Sequence, residues 1–137
     1  MASLGSLNHL SLTVSDRDRS EPFYNTILQF MGYQPVERTE TYTMWWLETA
    51  GAILISSAKP DCTNPIHDRY SPGLHHIGFN ADSREQVDQL YQLLVQLGAT
   101  ILDPPAEYNQ YAPGYYAVFF TDPDGIKLEL VHMPIVP

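Results

Sequence analysis

The segment LNHLSLTV (residues 7–14) reads against LHHIGFNA (residues 74–81), and this internal match decides the fold. His9 falls on His76, an offset of 67 residues (9 to 76). A second match extends the repeat: TMWWLETAGAILI from Thr43 lies against AVFFTDPDGIKLEL from Ala117. There Trp45 falls on Phe119, Gly51 on Gly125 and Ile55 on Glu129, an offset of 74 (55 to 129). The repeat brings His9, His76 and Glu129 to comparable strand positions. Two imidazoles and one carboxylate are common donors to divalent metals.

Each half reads as a strand, a helix and three strands. In the first half His9, Ser11 and Thr13 point one way, while Leu10, Leu12 and Val14 point the other. Ser15 is the expected helix cap, with Asp16 and Asp18 in the first turn. The helix runs to about Met31, places Phe23, Ile27 and Phe30 on one face, and ends at Gly32. Pro22 suggests that the regular helix starts near it. Strands are expected near Gln34–Thr39, Tyr42–Leu47 and Ala52–Ser57.

Lys59–Gly73, with three prolines, reads as a linker. In the second half His76, Gly78 and Asn80 share a face. Ser83 and Gln86 form a capping box, Val87, Leu90, Leu94 and Leu97 form the apolar stripe, and Gly98 closes the helix. Strands are expected near Thr100–Leu102, Tyr115–Thr121 and Ile126–Met133, the last two joined by the TDPDG turn. DPPAEYNQYAPG then becomes a long loop carrying Tyr108 and Tyr111 as ligand-facing candidates.

With 137 residues the chain suggests a single domain, able to bury a core. A net charge of −9 and dispersed Lys and Arg argue against nucleic acid. No apolar run approaches the ~20 residues of a membrane span. The lone Cys62 cannot form an internal disulfide, and no signal peptide is visible, so a cytoplasmic location is expected.

NHLSLTVSD, LHHIGF and YYAVFFTDPDGIKLEL resemble the vicinal oxygen chelate family. That family includes glyoxalase I, extradiol dioxygenases, methylmalonyl-CoA epimerase, fosfomycin-resistance thiol transferases and bleomycin-resistance proteins. The resemblance covers nearly the whole chain. It implies an α+β fold in which two βαβββ modules, about residues 6–58 and 74–133, form a cupped, partly open eight-stranded barrel. It also implies one divalent metal ion (Fe, Mn, Ni or Zn) held by the first and last strands of each module. Those positions here are His9, Ile55, His76 and Glu129. Ile55 cannot ligate, which counts against glyoxalase I and makes the set more like the extradiol dioxygenases and fosfomycin-resistance enzymes. Three donors leave open positions for a substrate that chelates through adjacent oxygens.

The expected function is thus a metal-dependent enzyme of glyoxalase or dioxygenase type on a small oxygen-rich substrate, leaning to the three-ligand dioxygenase-like site. Glu129 and His67 are the catalytic candidates, His67 competing with a plain surface role. His75 and His132 read as structural or surface residues from their opposite parity. Lys127 shares parity with Glu129. Parity does not decide which of Tyr115 and Tyr116, or of Trp45 and Trp46, faces the cavity. The alternative is a metal-free drug-binding protein of the bleomycin-resistance kind. A homodimer is expected, with the modules paired within one chain or exchanged between two.

Overall fold

The computed structural model describes residues 2–62 and 66–135. The chain forms two compact units, residues 1–64 and 65–137. The first contains β1 (His9–Val14), α1 (Arg17–Phe30), β2 (Gln34–Arg38), β3 (Thr43–Leu47) and β4 (Gly51–Ser57). The second contains β5 (His76–Asn80), α2 (Arg84–Leu97), β6 (Thr100–Glu107), β7 (Tyr116–Thr121) and β8 (Lys127–His132). The fold is α+β, a βαβββ module in each unit. The sheets run β1-β4-β3-β2 and β5-β8-β7-β6. First and last strands pair in parallel, and the remaining neighbours are antiparallel. Among the described residues no helix is long and apolar enough to cross a membrane.

Local chemistry explains the helices and corrects four expectations. Asp16, not Ser15, caps α1, its side chain accepting from the Asp18 N–H at 3.0 Å. The helix starts at Arg17 and carries Pro22 inside it. The turn before the proline stays helical, with Ser20 N–H donating to the Asp16 carbonyl at 3.0 Å. Phe23 and Ile27 are buried as expected, joined by Tyr24 and Leu28. In α2, Ser83 Oγ accepts from Gln86 N–H at 3.3 Å. The Gln86 side chain answers one residue early, accepting from Asp82 N–H at 2.6 Å. Val87, Leu90 and Leu94 are fully buried, each contributing about 1.5–3 kcal/mol of burial free energy. Leu97, expected on that stripe, is exposed in the last turn.

The stretch expected as a long loop begins as strand. β6 continues through Asp103-Pro104-Pro105-Ala106-Glu107, with register shifts between Ile101 and Asp103 and between Asp103 and Ala106. It is an edge strand, where prolines lacking a donor N–H are tolerated. The true loop is short, opening at Tyr108, whose N–H donates to the Tyr115 carbonyl at 2.7 Å.

The strand register also revises the repeat. Ser11 pairs with Leu54, as Gly78 pairs with Glu129. The residue structurally equivalent to Glu129 is therefore Leu54, and Ile55 pairs with Leu12 on the opposite, buried face. Likewise Met44, not Trp45, matches Phe119, because Met44 pairs with Leu54 and Phe119 with Glu129. Aligning glycine with glycine caused the shift. Gly51 already belongs to β4 and pairs with Leu47, whereas Gly125 lies two residues ahead of β8. A slip of one residue moves every side chain to the other face.

Gly51 also seats β1. Its φ is +90°, and a Cβ there would lie 2.3 Å from the Asn8 carbonyl oxygen, which accepts the Ala52 N–H at 3.0 Å. Gly51→Ala should cost at least the ~1–3 kcal/mol of a strained backbone, plus the clash. Gly98→Ala, with φ +70° and open space around it, should cost only about 1–2 kcal/mol. Urea denaturation of both variants checks the order; equal losses would remove the special role of Gly51.

Candidate functional site

The second sheet has two unlike faces. Val118, Phe120, Leu128 and Leu130 lie on its buried face, and α2 packs against β6, β7 and β8. Alternation and register put His76, Gly78 and Asn80 of β5, Lys127, Glu129 and Val131 of β8, and Ala117, Phe119 and Thr121 of β7 on the other. This second face carries an imidazole, an ammonium and a carboxylate, those of His76, Lys127 and Glu129.

Glu129 is its centre. The residue is only 3% exposed, so its carboxylate must find partners within the protein. One oxygen, Oε1, lies 3.3 Å from His76 Nε2. The other, Oε2, accepts a hydrogen bond from the Tyr115 hydroxyl. Space beside the carboxylate comes from Gly78, where even a single Cβ would sit 3.4 Å from Oε1. Around it, Ala117, Phe119 and Val131 form an apolar floor, with Leu102, Tyr108, Tyr115 and Met133 packed against them. Tyr108 meets Phe119 edge-on at 5.4 Å, and Lys127 Nζ lies 4.8 Å above the Phe119 ring.

The Tyr115 hydroxyl is held well above the usual phenol range. Desolvation contributes most, followed by the hydrogen bond to Glu129 and that carboxylate's charge. The phenol is thus a proton-bearing donor at all physiological pH values. Tyr108 is shifted the same way, mainly by desolvation. His75 is pushed below the usual histidine value, first by desolvation and then by the charges of His76, Lys127 and Arg69.

His75 is exposed, as a surface residue would be, yet it touches the site. It precedes β5, so strand alternation does not govern it, and its Nδ1 lies 2.7 Å from His76 Nδ1. One ring donates and the other accepts. His76 is therefore oriented through one nitrogen while the other faces Glu129. His132, by contrast, bonds the Ala81 carbonyl through Nδ1 at 3.2 Å, as a structural residue would. The His67 ring engages the Leu74 carbonyl through Nε2 at 2.9 Å, and its backbone N–H donates to the Asp124 carbonyl at 2.9 Å. These bonds tie the approach to β5 to the turn ahead of β8.

His9 opens β1 in the first unit and is exposed. Its Nδ1 donates to Asn8 Oδ1 at 2.8 Å, which leaves the Nε2 lone pair available to a ligand. Ser11, Thr13, Met44, Trp46, Leu54 and Ser56 share its sheet face. Among the described residues no three His, Cys, Asp or Glu side chains gather as a complete metal-binding group. The second unit brings together two of the expected donors, His76 and Glu129. Their 3.3 Å N···O separation suits two donors on one ion at roughly 2.0–2.2 Å each.

The aromatic pairs resolve as well. Trp45 is buried and donates through Nε1 to Asn25 of α1 at 3.0 Å, whereas Trp46 is 42% exposed. Tyr116 bonds Asp88 of α2 at 2.6 Å, and Tyr115 takes the Glu129 side. The signal for Tyr115 lay in the sequence only as parity: Tyr116 pairs with His132, so the residue before it turns the other way.

The Glyoxalase/Bleomycin resistance protein/Dioxygenase superfamily model matches residues 6–130. The chain belongs to that superfamily. It is 32% identical over 125 residues to protein YqjT of Bacillus subtilis (strain 168), covering 91% of this chain and 97% of the relative. It is also 32% identical over 125 residues to metallothiol transferase FosB of Lysinibacillus sphaericus (strain C3-41), covering 90% of this chain and 79% of that one. Among solved structures, a glyoxylase/bleomycin resistance protein/dioxygenase domain from Frankia sp. EAN1pec matches with a TM-score of 0.77 and 27% identity, over 95% of this chain and 98% of that chain.

Because burial and Glu129 raise Tyr115, its ionisation should lag behind that of ordinary tyrosines. Absorbance titrations of the wild type and Tyr115→Phe should coincide until the pH passes well beyond the unperturbed tyrosine pKa of about 10. A wild-type excess of one phenolate near that pH would contradict the hydrogen bond to Glu129.

Proposed function

We propose that this protein is a divalent-metal-dependent enzyme of the superfamily, with His9, His76 and Glu129 as the metal donors. The observation that carries the reading is a buried carboxylate oxygen 3.3 Å from an imidazole nitrogen, on adjacent strands. A divalent ion there would act as a Lewis acid on a small substrate chelating through adjacent oxygens. Gly78 leaves the space beside the donors that such a substrate requires. Leu54, at the position equivalent to Glu129, supplies no fourth donor, which favours the three-ligand site. The name of the metallothiol transferase relative supports metal dependence of this kind. Of the two acid/base candidates, Glu129 stands at the site, while the His67 ring spends Nε2 on the Leu74 carbonyl. A dioxygenase-like reaction suits the donor set, and a transferase reaction suits the metallothiol transferase relative.

A metal-free binding role is the second reading. It draws on Trp46, exposed on the His9 face, as a stacking surface for a flat ligand.

Thermal unfolding separates the two. Binding of Mn(II), Co(II), Ni(II) or Zn(II) at 100 times its Kd should add about 2.7 kcal/mol of stability to the wild type. The gain should vanish in His76→Ala and shrink strongly in His9→Ala and Glu129→Gln. Absence of any metal-dependent gain, with Trp46 fluorescence quenched by drug-like aromatics, would replace the enzyme by the binder.

A further inference from the structure

We propose that Tyr115 is a positioning residue, whose hydroxyl locks the Glu129 carboxylate so that Oε1 alone is presented beside His76. The inference rests on the metal-donor reading of His76 and Glu129. It concerns how the chain controls that donor.

The terminal torsion of a glutamate is broad and roughly two-fold, so a carboxylate left to itself presents either oxygen or both. At 3% exposure, Glu129 has little water to restrain or satisfy it. The Tyr115 hydroxyl donates to Oε2 and leaves Oε1 as the oxygen facing His76. A phenol hydroxyl has a single proton to give, and here it goes to Oε2.

The tyrosine is itself braced. Its amide donates to the Ala112 carbonyl at 3.1 Å, and its carbonyl accepts from Tyr108 N–H at 2.7 Å. Tyr111 meets its ring at 5.3 Å with an interplanar angle of 68°, and Tyr108 stacks on Tyr111 at 5.8 Å. The ring also packs against the Ala117, Phe119 and Val131 floor. The short loop after β6 therefore acts as a splint for one hydroxyl. Partners of this outer kind commonly change metal affinity about 10–100-fold when removed.

The test is Co(II) titration of purified full-length protein, followed by its visible absorption bands. Wild type should take up a single equivalent, and His76→Ala should take up none. Tyr115→Phe keeps the ring packing and removes only the hydroxyl. It should weaken Co(II) binding about 10–100-fold and alter the visible bands, because Oε2 becomes free to join the ion. A purely structural tyrosine would lower the thermal midpoint of the metal-free protein and leave those bands unchanged. Unchanged affinity and bands in Tyr115→Phe, with His76→Ala inactive in binding, overturn this inference alone. A wild type that takes up no Co(II) overturns it together with the metal-donor reading. Should the variant not fold, a Co(II)-bound wild-type crystal structure decides. Glu129 bound through one oxygen, with the other on Tyr115, upholds the lock; both Glu129 oxygens on the ion, with Tyr115 turned away, refutes it.

Discussion

A carboxylate buried in the middle of a sheet is the constraint around which the second module is arranged. Left unpaired, the Glu129 charge would cost several kcal/mol. The structure answers from three directions. The parallel pairing of β5 with β8 sets His76 and Gly78 beside it. The turn back from β6 into β7 supplies the Tyr115 hydroxyl. The missing side chain at Gly78 leaves a gap instead of an apolar wall. Each feature is poor choice for a core and good provision for a polar ligand.

The first module shows what the same topology does without that charge. Its helix occupies the same place in the repeat, residues 17–30 against 84–97, and its strands pair in the same order. Yet Ala52, Leu54 and Met44 stand where the second module has Lys127, Glu129 and Phe119. His9 stands where the second module has His76, its ring held by the neighbouring Asn8 side chain. Backbone physics has been retained in both halves, while polar chemistry is concentrated in one.

Much of this was legible from period-two alternation, which put His76, Gly78 and Asn80 on one face and named Glu129 as the odd carboxylate in an apolar strand. Alternation fails wherever counting crosses a turn. The Gly51 and Gly125 turns differ by one residue, and that difference sent Ile55 to the wrong face in the sequence reading. Composition misled at Pro104 and Pro105, because an edge strand does not need their missing donors. Pro22 misled similarly, since a helix with a sound cap and an intact preceding turn continued through it. Tyr115 continues the alternation of β7, but its parity could be read only once the start of that strand was known. His75 stands just ahead of β5, where the contact of its ring with His76 depends on local geometry that a pattern does not encode.

The parallel pairing of first and last strands has a consequence for how the polypeptide matures. His76 enters early in the second module and Glu129 arrives only with its final strand, after the helix and hairpin between them. Their meeting thus requires the second module through its last strand. Anything that bridges the pair rewards completed chains over truncated or half-assembled ones, and so acts as an internal check on the workmanship of synthesis.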